Sequence, residues 1–137
     1  MALTHLVDTS VLTRLRHGAV RVVVEPLAAK GVLGRAGITD LEIGFSARSA
    51  KEWDQAADAL DSFELIETSA DHVRRARQVQ RLLASKHQRG RKVPDLLVAA
   101  AAEANDLAVL HYDADFDRIA AVTGQRVEWV VSAGTVD

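Results

Sequence analysis

Cysteine is absent from this 137-residue chain, which excludes disulfides, thiolate metal sites and cysteine nucleophiles. Aromatic side chains are scarce: Phe45, Phe63, Phe116, Tyr112, Trp53 and Trp129 complete the set, so Leu, Val, Ile and Ala must fill any core. No apolar run approaches the ~20 residues that span a bilayer. The first residues carry no basic segment, and their short apolar stretch is broken by His5 and Asp8. No signal peptide is therefore expected, and a cytoplasmic protein without membrane association is. Repeats, low-complexity tracts and linkers are missing as well. His5, His17, His72, His87 and His111 show no paired metal-ligand spacing, and no Gly-x-Ser-x-Gly or P-loop motif occurs.

What remains is ordinary in bulk. Apolar residues make up 48% and charged residues 26% of the chain, as in a soluble globular protein. The length suits one domain over residues 1–137 and leaves no room for a second core. The net charge is −2, but the distribution is uneven. Arg74, Arg75, Arg77, Arg81, Lys86, Arg89, Arg91 and Lys92 crowd into one stretch, with only Asp71 beside them before Asp95. A locally basic surface on a mildly acidic protein can attract phosphate; a solvated helix face followed by a loop is the plainer explanation.

Short apolar runs alternate with helical patterns from end to end. Leu3–Val7 reads as a strand that stops at Asp8. Pro26 argues against a central strand in residues 20–30 and favours a helix from about Glu25. A short strand within Gly31–Ile38 leads into helices at 39–48 and 51–61, and 63–66 forms a brief strand. Ser69 is a good N-cap for a long helix with apolar positions at Val73, Ala76, Val79, Leu82 and Leu83. Pro94 opens a further helix where its missing N–H matters little, and that helix is apolar through Ala102. A strand at 107–110, a helix at 114–122 and a strand at 127–131 complete the chain. Strands separated by helices imply an α/β fold with a parallel sheet, whose ligands bind outside the carboxyl ends of the strands.

Acidic residues fall at that edge. Asp8 follows the first strand; alone it reads as an N-cap, although Thr9 and Ser10 can also cap. Glu42 lies in Thr39-Asp40-Leu41-Glu42, a capping box in which Thr39 caps and Glu42 reaches back. Asp95 sits in the first turn of a helix whose next seven residues are apolar. The helix dipole favours an acid there, but an acid so near a core implies a partner charge or a metal. Asp113, Asp115 and Asp117 alternate; an EF-hand starting at Asp113 fails, because Arg118 and Gly124 stand where Gly and Glu are needed. Carboxylates brought together repel unless a cation or a proton intervenes. An all-oxygen site suits Mg²⁺ or Mn²⁺, and such an ion activates water and neutralises charge on a phosphate.

Four segments, VDTSVL, ITDLEIGFSAR, KVPDLLVAAAAE and VLHYDADFDRIAAVTGQ, occur in this order between Val7 and Gln125. With them the chain resembles the VapC toxins of the PIN-domain family. The resemblance implies a single α/β/α sandwich with a central parallel sheet flanked by helices. It implies Asp8 and Asp95 as core ligands of Mg²⁺ (or Mn²⁺), Glu42 and Asp113 completing the quartet, and Asp115 as a neighbour acting through water. Thr9 or Ser10 would orient a ligand or water. The implied activity is endonucleolytic cleavage of structured RNA, such as tRNA or rRNA, at exposed loops. The implied partners are a VapB antitoxin, whose C-terminal segment covers the active-site groove, and a second copy of the chain, giving a homodimer or a toxin–antitoxin hetero-oligomer. Lys86, Arg89, Arg91 and Lys92, running into Asp95, are expected to hold RNA phosphates. The rivals are a PIN-like domain that binds RNA or protein without cutting, another acidic-site α/β enzyme, and a module in which every acid is a cap. A haloacid-dehalogenase phosphatase would need Asp-x-Asp where Asp8-Thr9-Ser10 stands.

Overall fold

Side chains on a strand alternate between its two faces, and here both faces are covered. The computed structural model describes residues 2–88 and 92–137. Strands β1 (His5–Val7), β2 (Leu33–Ala36), β3 (Glu64–Ile66), β4 (Ala108–His111) and β5 (Val127–Trp129) form one sheet in the order β3-β2-β1-β4-β5, each neighbouring pair parallel. The described helices are α1 (Thr9–Leu12), α2 (Gly18–Ala29), α3 (Gly37–Phe45), α4 (Ala50–Leu60), α5 (Ala70–Ser85), α6 (Val93–Ala104) and α7 (Asp115–Thr123). On β1, Leu6 faces a core built with α5, α6 and α7, including Val79, Leu83, Val98, Phe116 and Ile119. Its neighbour Val7 faces a second core, with Val11 of α1 and Val20 and Val24 of α2. The α/β/α sandwich expected from the sequence is the one found.

The chain runs outward from β1 to β2 and β3, then crosses back to place β4 on β1's other side. The strand order therefore reverses between β1 and β4, and the crevice outside their carboxyl ends is where open parallel sheets bind ligands. Asp8 ends β1, its amide donating to the Leu110 carbonyl of β4 at 2.9 Å.

Two local expectations need correction. Helix α2 begins at Gly18, not near Glu25, and Pro26 lies inside it. The carbonyl that Pro26 leaves without a donor is that of Val22, a residue 69% exposed, so water can serve it and the usual proline penalty is reduced. On α5, Val73 is exposed and His72 is buried in its place. The cause is the helix start: Ser69 caps the His72 amide at 3.2 Å while His72 Nδ1 accepts from the Ser69 amide at 3.3 Å. This reciprocal box turns His72 inward. Ser69→Ala removes one side of it and is expected to cost about 1 kcal/mol, measurable as a lower urea midpoint with an unchanged slope.

Candidate active site

The crevice between β1 and β4 opens into a cleft of about 430 Å³ whose lining includes Asp8, Glu42, Asp95, Asp113, Lys92 and Arg14. Asp8 is 3% exposed and is the N-cap of α1, its Oδ2 accepting from the Ser10 amide at 3.0 Å. The cap reading of Asp8 therefore holds, and Thr9 and Ser10 are engaged elsewhere. Thr9 Oγ1 donates to Glu42 Oε1 at 2.7 Å, and Ser10 Oγ accepts from the Tyr112 amide at 2.9 Å. One short helix thus ties the end of β1 to α3 and to the end of β4.

The capping box expected at Thr39 does not form. Helix α3 begins two residues earlier, with Ala36 as its N-cap. Thr39 is buried inside the helix, its hydroxyl without a hydrogen-bond partner. Glu42, on the next turn, is free of capping and reaches Thr9 in the cleft.

Asp95 occupies the first turn of α6 and is 4% exposed. Its buried Oδ2 has no hydrogen-bond partner; Lys92 Nζ lies 3.8 Å away. Asp113, just past β4, accepts from the Asp115 amide through Oδ1 at 2.9 Å and from Lys92 Nζ through Oδ2 at 2.6 Å. Asp95, Asp113 and Asp115 each offer an oxygen within 4.8 Å of the others. Asp8 and Glu42 line the same cleft outside that tight group.

Burial governs the charges. It pushes Asp95 up to about 7, and the repulsion of Asp8 adds to it against the pull of Lys92. Asp8 is also raised, chiefly by burial and against its hydrogen bonds to Ser10. Burial acts on Asp113 too, but its hydrogen bonds from Lys92 and the Asp115 amide outweigh it and hold that carboxyl below the usual range. The site thus sets a carboxyl raised by burial, Asp95, beside one held low by its hydrogen bonds, Asp113. A divalent cation fits these residues: the donors are all oxygen, and a buried carboxylate oxygen lacks a hydrogen bond, which costs free energy unless something charged meets it.

His111, at the end of β4, is fully buried. It is packed 5.1 Å from Phe116 and 4.9 Å from Trp129 between ring centroids, and burial lowers its pKa. Its Nδ1 accepts from the Asp113 amide at 3.1 Å, so it shapes the turn that carries Asp113. Of the basic residues expected to hold phosphates, Lys86 is exposed at the end of α5, Arg89 and Arg91 lie outside the described residues, and Lys92 points at Asp113. Sequence reading missed Arg14. Its guanidinium, 4.8 Å from the Tyr112 ring centre, donates to the Ser10 carbonyl at 2.8 Å on the wall of the cleft. No local pattern marked it, because its partner is a backbone carbonyl.

Residues 5–122 match the PIN domain family. Over their full lengths the chain and Ribonuclease VapC51 of Mycobacterium tuberculosis are 61% identical across 137 residues. Ribonuclease VapC21 of the same organism is 44% identical, covering 98% of this chain and 99% of its own. Among solved structures, the DNA-bound VapBC of Salmonella typhimurium superposes with a TM-score of 0.77 at 18% identity, over 94% of this chain and 99% of that one. With the sheet order, the acidic cleft at its reversal point and this full-length similarity in agreement, the chain belongs to the PIN-domain family, among its VapC members.

Proposed function

We propose that this chain is a divalent-metal-dependent endoribonuclease and the toxin of a VapBC pair. One observation carries the reading most: a buried Asp95 carboxylate whose Oδ2 lacks a hydrogen bond, set beside Asp113 and Asp115 in the cleft that also holds Asp8 and Glu42. The ribonuclease names of relatives up to 61% identical support it. Asp8 and Asp95 would hold Mg²⁺ or Mn²⁺, with Asp113, Glu42 and Asp115 completing the surroundings. When bound, such an ion lowers the pKa of water and offsets charge on the phosphate under attack. Thr9 fixes one oxygen of Glu42, leaving the other to take a proton from the attacking water. His111 is fully buried and its Nδ1 accepts from the Asp113 amide, so its part is to position Asp113. Asp113 is set by its hydrogen bond with the Asp115 amide.

The substrate reading is structured RNA, tRNA or rRNA, cut at loops whose unpaired bases are accessible. The partner is a VapB antitoxin, and the assembly a homodimer or a toxin–antitoxin hetero-oligomer in the cytoplasm. Purified protein incubated with total RNA in Mg²⁺, Mn²⁺ or EDTA tests the activity. Discrete fragments formed with either metal and absent in EDTA are expected. Folded, antitoxin-free protein that leaves every RNA intact would move the reading to a domain that binds without cutting.

A further inference from the structure

Lys92 stands within the acidic group, on the oxygens a metal would need. Its Nζ is 2.6 Å from Asp113 Oδ2 and 3.8 Å from Asp95 Oδ2. Both carboxylates belong to the three-acid group, and that Asp95 oxygen has no hydrogen bond of its own. An ammonium and a divalent cation held by the same carboxylates would be only a few ångströms apart, a separation at which like charges repel.

We infer that Lys92 is a built-in stand-in for the divalent cation: it holds Asp113 and faces Asp95 while the site is metal-free, and leaves those oxygens when the cation binds. The inference rests on the metal reading of the acidic cleft proposed above.

The placement of Lys92 suits this exchange. It is the N-cap residue of α6, and its ammonium is held there by ion pairs with Asp113 and Asp95. The side chain is 59% exposed, and a lysine stem is long and rotatable, so the ammonium can withdraw to water without moving the backbone. Asp95 is 6% exposed at its side chain and cannot follow. Withdrawal thus leaves the acids fixed and the cation site open. A fixed positive charge such as a structural arginine fork would block the site permanently, whereas a mobile ammonium moderates repulsion in the empty site and sets the affinity of the loaded one. The plainer alternative is an ordinary ion pair at a helix N-terminus, which would persist when metal binds.

Two measurements on the full chain separate these. In the ¹⁵N-labelled protein, the Lys92 Nζ resonance, assigned by its loss in Lys92→Arg, is followed through its hydrogen-bond coupling to the Asp113 carboxyl carbon as MgCl₂ is added. In parallel, Mg²⁺ binding to wild type and Lys92→Met is measured by calorimetry. The coupling is expected to vanish in step with Mg²⁺ saturation, and Lys92→Met to bind Mg²⁺ about tenfold more tightly, an ordinary size for coupling between two ligands of one site. A coupling that survives Mg²⁺ saturation, or equal affinities in the two proteins, overturns the exchange and leaves the metal reading standing. No binding heat in either protein overturns the metal reading itself, and the exchange with it.

Discussion

Asp95→Asn is expected to lower metal-dependent RNA cleavage on the order of 10³-fold, equivalent to about 4 kcal/mol of transition-state stabilisation, while the protein stays folded. Asparagine keeps the size and one carbonyl oxygen of Asp95 but loses the charge that would hold a divalent cation. The fold has little to lose, because the buried Oδ2 makes no hydrogen bond. What the change forfeits structurally is an acid in the first turn of α6, worth about 0.3 to 1 kcal/mol through the helix dipole. The new amide can donate to the carboxylates that Asp95 now repels. Single-turnover cleavage, read with circular dichroism, checks both halves. Asp117→Asn is the control: Asp117 is exposed and accepts from Trp129 Nε1 at 3.0 Å, which an amide oxygen can still do. It should remain within about twofold of wild type, as surface changes generally do. If Asp95→Asn instead unfolds the chain, Asp95 is a structural residue; if it cuts at a rate near wild type, the metal reading fails.

Much of this arrangement is readable in the sequence because it depends on local rules. Apolar runs ending in Asp8 and in Tyr112-Asp113 mark strand ends, and in a parallel sheet those ends share an edge. Pro94 and the apolar stretch after it set the start of α6 and hence the place of Asp95. The misreadings came where tertiary contacts overrode a local signal. Thr39 and Glu42 have the spacing of a capping box, but α3 starts at Gly37, Thr39 is drawn into the interior and Glu42 is claimed by Thr9, 33 residues away in sequence. Pro26 marked a helix start by propensity, yet the buried face of Val20 and Val24 against the sheet extends α2 back to Gly18.

Within the site, the acids and their shared edge were legible, but not the contacts each one makes. Composition and spacing do not reveal that Asp8 serves both as a cap and as a wall of the cleft, or that Asp115 joins the tight group through the turn Asp113 makes. Nor does a basic run reveal its direction. Lys92 reads as part of a phosphate-binding loop, yet it is held by Asp113, a residue brought near by the packing of α6 on β4.

With metal removed by EDTA, the stability advantage of Asp95→Asn over wild type is expected to grow by about 1 to 2 kcal/mol between pH 5 and pH 8, or roughly 3 to 6 °C in melting temperature. The direction follows from proton counts. Asp95 titrates at about 7 in the folded protein, against an ordinary value of 3.8. Between those values the unfolded chain has released a proton that the folded chain still holds, so wild-type stability falls as pH rises and levels off above about pH 7. At about 1.4 kcal/mol per pH unit the interval bounds the effect at about 4 kcal/mol, and water in the open cleft screens part of it. Asp8 is raised in the same direction. His111 is lowered by burial and acts oppositely, its contribution being lost as pH falls below about 6.5. Both residues are common to the two proteins, so the difference between the melts reports Asp95 together with its coupling to Asp8. Saturating Mg²⁺ at pH 8 should reverse the ranking, because a ligand at 100 times its dissociation constant adds about 2.7 kcal/mol to wild type and little to the variant. A difference that does not change with pH would mean that Asp95 is already ionised without metal, its charge met by Lys92 alone.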